Sequence, residues 1–214
     1  MFVISLGESQ RFNMVYRRIL EWPDKKLNCV SRDFNFDSDI EIAKDLLDTF
    51  NVSGGYGLSA PQIGFNVNVI VINEKRLSEK EECSESLLMI NPTFNFLSSK
   101  KKSPESCFSL PWLSVEVERF SEIEVFWKNL DGEEYSKKFF GLTAACIQHE
   151  IDHLNGVLTI DKLSQLRKNR IIKKVSKIKS SRNQASQKEK EEKSKIKSLK
   201  TRKRKRLLRK GKKK

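Results

Sequence analysis

The segment from Leu142 to Leu154 constrains the fold of this chain more than any other. Its apolar residues recur at helical spacing, and no charged residue precedes His149 within it. A helix that is apolar on most faces is stable where the rest of a domain packs around it. We therefore expect a buried central helix over 142–154, with the other elements arranged about it.

Upstream of this helix, one helical segment gives way to several short β-type segments. Ser38–Val52 has helical periodicity, with Ser38 as the expected N-cap and Glu41 completing a capping box. A turn is expected at Asn129–Gly132. The predicted strands, which are rich in β-branched residues or alternate apolar with charged ones, are Val67–Ile72, Leu87–Ile90, Leu113–Val117, Ile123–Trp127 and Tyr135–Phe140. A helix, antiparallel-type strands and a central helix together predict an α+β domain.

Charge divides the 214-residue chain into two parts. Residues 165–214 hold 24 Lys and Arg against three Glu, a net charge of +21, whereas the first 164 residues have a net charge of −7. We expect a globular domain over 14–164 and a C-terminal helix over 165–180. The basic tail over 181–214 is expected to be largely disordered, because its composition buries too little apolar surface to offset chain entropy. Residues 1–13 are expected to be a poorly structured extension, with Met14 as an alternative start.

The composition also limits where such a chain works. No apolar run approaches the roughly 18 residues that a membrane-spanning helix needs, and the first ten residues do not have the pattern of a secretory signal. The four cysteines are too few for a disulfide scaffold, and none forms a CxxC pair. We expect a reducing, cytosolic-type compartment and no membrane partner.

Both histidines of the chain lie in the sequence HEIDH at 149–153. Residues four apart on a helix project from one face, so His149 and His153 can bind one metal ion. Glu150 is then close enough to act on a water bound to that metal. A catalytic metal normally has three protein ligands, and no histidine follows His153. Cys107, in PESCFSLPW, offers a thiolate that suits zinc or ferrous iron.

Two further segments are candidates for the same site. Cys146 precedes His149 by three residues and is expected to line the site without binding the metal. Gly54–Gly64, with the sequence GGYGLSAPQIG, is expected to be a loop whose backbone approaches a ligand closely. Gln62 in this segment is either a donor to a developing oxyanion or an ordinary surface glutamine.

These segments, taken in order, resemble the three motifs of the peptide deformylase family. The family's GxGxAAxQ is similar to Gly55–Gln62, its EGCLS to Glu105–Ser109, and its QHExDH to Gln148–His153. The resemblance covers about Met14 to Leu163. It implies a deformylase-like fold in which antiparallel or mixed sheets pack around the helix that carries HExxH. The chain departs from the motifs at Tyr56, Ser59, Ser106 and Phe108.

The resemblance implies a hydrolase that removes the formyl group from the N-formylmethionine of a nascent polypeptide and releases formate. The implied ligands of one divalent ion, ferrous iron or its replacements zinc and nickel, are Cys107, His149 and His153. Glu150 would take a proton from a metal-bound water, and Gln62 and the backbone N–H of Phe108 would stabilise the oxyanion. The implied substrate-binding residues are Gly57 at the peptide backbone and Tyr56, Phe108, Cys146 and His149 around the methionine side chain.

The basic tail suggests a polyanionic partner. Neutralising phosphates releases counterions and gives affinity without sequence readout. The last 50 residues contain no aromatic residue that could stack on bases. Because the resemblance implies work on chains leaving the ribosome, we expect the tail to bind ribosomal RNA in a bacterial or phage-infected bacterial cytoplasm, or in an organelle. A solvated solubility tail is the simpler alternative.

Two other functions are compatible with parts of the sequence. One is a metalloprotease that uses the same HExxH chemistry. The absence of a downstream histidine ligand and the presence of Cys107 argue against it. The other is a non-catalytic RNA-binding protein with a deformylase-like body. The complete set of Gln62, Cys107, His149, Glu150 and His153 argues against that.

Overall fold

Helices and antiparallel strands build the first part of the chain. The computed structural model describes residues 14–78 and 86–177, together with residues 180, 181, 187, 188, 191 and 193. The helices are α1 (Ile40–Ser53), α2 (Glu74–Ser78) and α3 (Gly141–Leu154). The strands are β1 (Gly57–Ser59), β2 (Val69–Ile72), β3 (Leu87–Phe96), β4 (Lys100–Cys107), β5 (Leu110–Phe120), β6 (Glu122–Lys128) and β7 (Glu134–Phe140). The expected α+β class is confirmed.

The strands of the described residues all pair in antiparallel fashion. One sheet has the order β1-β2-β3-β6-β7, and β4 and β5 form a separate two-stranded sheet. The turn expected at Asn129–Gly132, between β6 and β7, is closed by a hydrogen bond from the N–H of Gly132 to the carbonyl oxygen of Asn129, 3.1 Å long.

The uninterrupted apolar sequence of β2 follows from burial on both of its faces. Side chains alternate between the faces of a strand. Val69 and Val71 belong to one core cluster, which includes residues of α1, and Ile70 and Ile72 belong to another, which includes residues of α3. All four side chains have 0% exposure. Strand β2 therefore lies between α1 and α3, and α3 has the buried position expected of a central helix.

The start of α1 differs from the sequence prediction. The helix begins at Ile40 and its N-cap residue is Asp39, so the assignment of Ser38 as N-cap is wrong. The Asp39 carboxylate accepts hydrogen bonds from the Arg32 guanidinium at 2.6 and 2.8 Å and from the N–H of Asn35 at 2.8 Å. The bonds with Arg32 lower the pKa of Asp39 to about 2. The carboxylate of the N-cap residue therefore binds a residue seven positions earlier and makes no cap hydrogen bond to the helix.

Strand β3 is longer than expected. The sequence predicted its end before Asn91-Pro92, but pairing with β6 continues to Phe96. The register shifts between Ile90 and Thr93, and Asn91 has a φ of 49°. Proline has no N–H for the ladder, and a bulge lets a strand continue past such a residue.

Strand β4 was not predicted, because KKKSPES contains neither β-branched nor aromatic residues. It pairs with β5 from Lys100 opposite Phe120 to Cys107 opposite Leu110. Ser103, Glu105 and Cys107 alternate with exposed residues and are buried. Pairing with β5 thus stabilises a strand in a segment of low β propensity. Cys107 is the last residue of this strand.

The chain divides into two units, Met1–Leu163 and Ser164–Lys214. In the second unit, residues 165–177 are helical. The expectations for residues 1–13 and for most of 181–214 concern positions outside the described residues. Within the described parts of the chain, no helix has both the length and the apolar character needed to cross a membrane.

Candidate active site

Three buried side chains from β4 and α3 come together as possible metal ligands. The Sγ atom of Cys107 and one ring nitrogen each from His149 and His153 all lie within 4.8 Å of one another. Cys107 Sγ is 3.2 Å from His153 Nε2. The two imidazole rings meet edge to face, with 4.9 Å between their centroids. One turn of α3 and the end of β4 therefore supply a three-donor group.

This donor set fits one tetrahedral ion of the zinc or ferrous type. Bonds of about 2.0–2.3 Å to such an ion place neighbouring ligand atoms about 3.3–3.8 Å apart, close to the 3.2 Å between Cys107 Sγ and His153 Nε2. One thiolate and two imidazoles suit these metals, whereas magnesium and calcium prefer oxygen ligands. Burial lowers the pKa of His153 well below its usual value, and the charges of His149 and Arg119 lower it further. His153 is therefore neutral, the form that binds a metal.

A buried ion-pair network orients His149. Glu105 Oε2 lies 2.9 Å from His149 Nδ1, and the Glu105 carboxylate accepts two hydrogen bonds from the Arg119 guanidinium, at 2.6 and 3.1 Å. Arg119 also donates to Asp152 Oδ2. Because Nδ1 is engaged, Nε2 of His149 is left for a metal ion. A carboxylate partner of this kind fixes the orientation of a ligand histidine.

Protonation of His149 competes with metal binding. Burial by itself would lower the pKa of His149, but hydrogen bonds with Cys107 and Glu105 outweigh burial and raise this pKa well above its usual value. A metal ion bound by these donors would therefore displace a proton, as is general for histidine and cysteine ligands.

Glu150 is a buried carboxylate beside the donor group. Its side chain belongs to a residue that is only 3% exposed, and Oε2 has no hydrogen-bond partner among the described residues. Burial raises the pKa of Glu150 to about 7, against the opposing effect of His149. A carboxyl group with such a pKa can both accept and return a proton near neutral pH.

The glycine-rich segment contacts α3 directly. Its predicted loop structure is wrong in part, because Gly57–Ser59 pairs with β2 and Ala60–Ile63 forms a 3₁₀ turn. A Cβ atom on Gly57 would lie 2.6 Å from Glu150 Oε1 and 2.9 Å from Cys146 Sγ. A Cβ on Gly55 would overlap Cε2 of the Phe108 ring. A side chain at either position would therefore force these neighbouring side chains to move.

Gln62 points its amide nitrogen into the site. Its Oε1 accepts hydrogen bonds from the N–H and the hydroxyl of Ser59, both at 2.9 Å, which fixes the orientation of the amide. Nε2 therefore faces Cys107 Sγ at 3.5 Å and Ser109 Oγ at 3.3 Å. With 1% exposure, Gln62 is not a surface glutamine.

An open cleft with a volume of about 710 Å³ leads to these groups. All the predicted site residues line it except His153, which is 1% exposed and outside the lining. Tyr56 lines the cleft with 55% exposure. Burial, followed by the charges of Glu150 and Glu105, raises the pKa of Cys146 well above its usual value. Cys146 is thus a neutral thiol in the wall of the cleft and is not one of the three metal donors.

The residues that orient His149 were not predicted from the sequence. Glu105 lies two residues before Cys107, so the two share a face of β4, and Asp152 lies inside HEIDH. The sequence positions of Glu105 and Asp152 therefore already indicated that both residues lie near the site. Arg119 gave no such signal, because only the pairing of β4 with β5 brings it to Glu105.

The chain is similar to known proteins over the part that forms this site. The family model described as polypeptide deformylase matches residues 16–169. The peptide deformylase of Pelagibacter ubique is 41% identical over 172 residues, which cover 78% of this chain and 97% of that protein. A peptide deformylase crystal structure from Legionella pneumophila has a TM-score of 0.70 and 31% identity, covering 79% of this chain and 98% of that one.

A second solved structure, the Ehrlichia chaffeensis peptide deformylase in complex with actinonin, has a TM-score of 0.68 and 30% identity. It covers 76% of this chain and 97% of that one. These similarities confirm the resemblance indicated by the three motifs and the deformylase-like α+β fold. The chain therefore belongs to the polypeptide deformylase family of enzymes.

Proposed function

We propose that this chain removes the formyl group from the N-formylmethionine of nascent polypeptides with the help of one divalent metal ion. The observation that carries the proposal is the position of Glu150 beside the group of Cys107, His149 and His153, at a cleft open to a peptide. Ferrous iron is the proposed metal, with zinc or nickel as replacements, because a thiolate with two imidazoles suits all three.

The ion supplies Lewis acidity when bound, which lowers the pKa of water and polarises the formyl carbonyl group. Glu150 takes a proton from the attacking water, whose oxygen bonds to the formyl carbon. The same carboxyl group then gives a proton to the leaving amine nitrogen as the C–N bond breaks and formate forms. Burial, which raises the pKa of Glu150 to about 7, supports this double role.

Gln62 and Phe108 are the proposed donors to the oxygen that becomes negatively charged. Gln62 offers Nε2, whose direction is set by the two hydrogen bonds from Ser59 to Oε1. Phe108 directly follows Cys107 and offers its backbone N–H. Donors that are already oriented stabilise an oxyanion without reorganising during the reaction.

The cleft offers matching contacts for a formylmethionyl peptide. Gly57 lies on β1, the terminal strand of its sheet, so an extended peptide can approach the strand's backbone closely. Tyr56, Phe108 and Cys146 supply mostly apolar surface for the methionine side chain, since a neutral thiol behaves as a small apolar group.

The substrate class is tested by incubating the metal-loaded protein with a formyl-Met peptide and with the same peptide without the formyl group. We expect the mass of the formylated peptide to fall by the mass of CO, because a hydrogen atom replaces the formyl group. The mass of the unformylated peptide should not change. Cleavage inside either peptide would instead support the metalloprotease alternative. Recovery of both peptides unchanged, with metal bound, would support the non-catalytic alternative.

Gly57→Ala is expected to lower kcat about 10- to 100-fold, because the added methyl group meets Glu150 Oε1 at 2.6 Å and displaces the carboxylate. Metal content should stay normal, since none of the three donors is Gly57. The measurement is formate release together with metal analysis of the purified variant. Normal turnover in this variant would show that catalysis does not depend on the present position of Glu150.

The tail adds a proposed partner. We infer that the +21 segment holds the enzyme on ribosomal RNA and raises its effective concentration near nascent chains. The full chain should sediment with ribosomes at low salt and dissociate as salt rises, whereas a chain ending at Ser164 should sediment much less. Equal sedimentation of the two chains would contradict ribosome binding by the tail and support the alternative of a solvated solubility tail.

A further inference from the structure

One wall of the cleft carries a guanidinium group held in a defined position. Arg76, in α2, donates from Nη1 to the carbonyl oxygen of Gly54 at 2.6 Å, and its Cζ lies 5.5 Å from the centroid of the Tyr56 ring. The N–H of Arg76 donates to Asn73 Oδ1 at 2.7 Å, and the N–H of Asn73 donates to the carbonyl oxygen of Tyr56 at 2.8 Å. These contacts join α2 to the glycine-rich segment and limit the movement of Arg76.

The charge of Arg76 is not balanced by a carboxylate among the described residues. Among the described residues that line the cleft, Arg76 is the only lysine or arginine. The other nearby arginine, Arg119, is paired with Glu105 and Asp152. Arg76 is exposed, and its Nη1 donates to the carbonyl oxygen of Gly54. The other N–H groups of its planar guanidinium fork remain available to solvent or a ligand. Such a fork binds carboxylates through charge-assisted hydrogen bonds.

We propose that Arg76 gives the enzyme a preference for formylated peptides that carry an acidic residue after the methionine. This inference rests on the proposed deformylase function. Each residue of an extended peptide advances about 3.3 Å, so a peptide whose formyl group lies at the Cys107 and histidine group runs along the cleft away from Glu150. A carboxylate on one of its next residues meets the only unpaired cation of the described lining, whereas a lysine there is repelled.

The Tyr56 ring strengthens this contact. An aromatic face beneath a guanidinium holds the group by cation–π attraction and leaves its edge free for hydrogen bonds. Less side-chain entropy is then lost when a carboxylate binds. Because the site is open to solvent, we expect a preference of about 1.5- to fivefold, the range typical of exposed charge pairs.

The test uses the full chain, loaded with metal, and formyl-Met peptides that differ at one position. Asp, Asn or Lys is placed at the second, third or fourth residue, and kcat/KM is measured at low and high salt. At the position that meets Arg76, we expect Asp to exceed Asn, and Asn to exceed Lys. The differences should shrink at high salt, because salt screens exposed charges.

Three variants separate the charge of Arg76 from its structural contacts. Arg76→Gln should remove the preference for Asp, and Arg76→Glu should reverse it in favour of Lys. Lys75→Gln is the matched control, since it removes the same charge one residue away at a position outside the cleft lining. It should retain the preference of the parent chain.

Equal kcat/KM for Asp, Asn and Lys peptides at all three positions would overturn the inference while leaving deformylation intact. The inference would also fail if Arg76→Gln lowered kcat/KM equally for all peptides and kept their order, because Arg76 would then only hold Gly54. Failure of the parent chain to deformylate any peptide would count against the proposed function itself.

Discussion

Glu150→Gln is expected to lower kcat for deformylation by about 10²- to 10⁴-fold, the range typical for loss of a general acid–base group. The amide has nearly the same shape as the carboxyl group but cannot take the proton of the attacking water. Metal content should be unchanged, because the three donors are Cys107, His149 and His153. Formate release and metal analysis on the same preparation give both quantities.

Glu124→Gln serves as the matched control for this variant. It makes the same chemical change on β6, away from the lining of the cleft, and should leave kcat near that of the parent chain. Glu150→Ala should lose turnover to a similar extent. Near-normal deformylation by either Glu150 variant, with metal bound, would contradict the role assigned to this carboxylate.

Cys107→Ala should abolish both metal binding and turnover. The change removes the one anionic donor of the group and leaves two imidazoles, one fewer protein ligand than a catalytic site normally has. Loss of a partner outside the ligand sphere typically costs about 10- to 100-fold in metal affinity, so loss of a ligand should cost more. Competition with a metal-binding dye measures the affinity, and formate release measures turnover.

Cys29→Ala is the control for removal of a thiol, since Cys29 is free and exposed. It should bind metal as the parent chain does. If Cys107→Ala retained one ion per chain with the parent's affinity, the thiolate would not be a ligand, and the proposed metal centre would need a different third donor.

Local patterns predicted the elements that are defined by their own sequence. The apolar periodicity of 142–154 predicted α3, and the spacing of His149 and His153 on it predicted that the two imidazoles share a face. The apolar run at Val67–Ile72 predicted β2, although the strand begins at Val69. In each case the element follows from the spacing of apolar residues that are close together in the sequence. Such a pattern can be recognised from the sequence alone.

Features that depend on distant partners were not predictable in the same way. Strand β4 depends on its pairing with β5, and the carboxylate of Asp39, the N-cap residue of α1, is bound by Arg32. Arg119 lies 14 residues from Glu105 and 33 from Asp152, yet it binds both. These contacts arise from tertiary packing, which overrides weak local propensity.

Formate release by metal-free protein that is reconstituted with ferrous iron tests the central claim most directly. The experiment is carried out without oxygen, because oxidation of a cysteine-ligated ferrous site would hide activity. We predict that formate release from a formyl-Met peptide rises with bound iron up to one ion per chain and is absent without metal. Equal release by the metal-free protein, or no release by protein with one iron bound, would contradict the account.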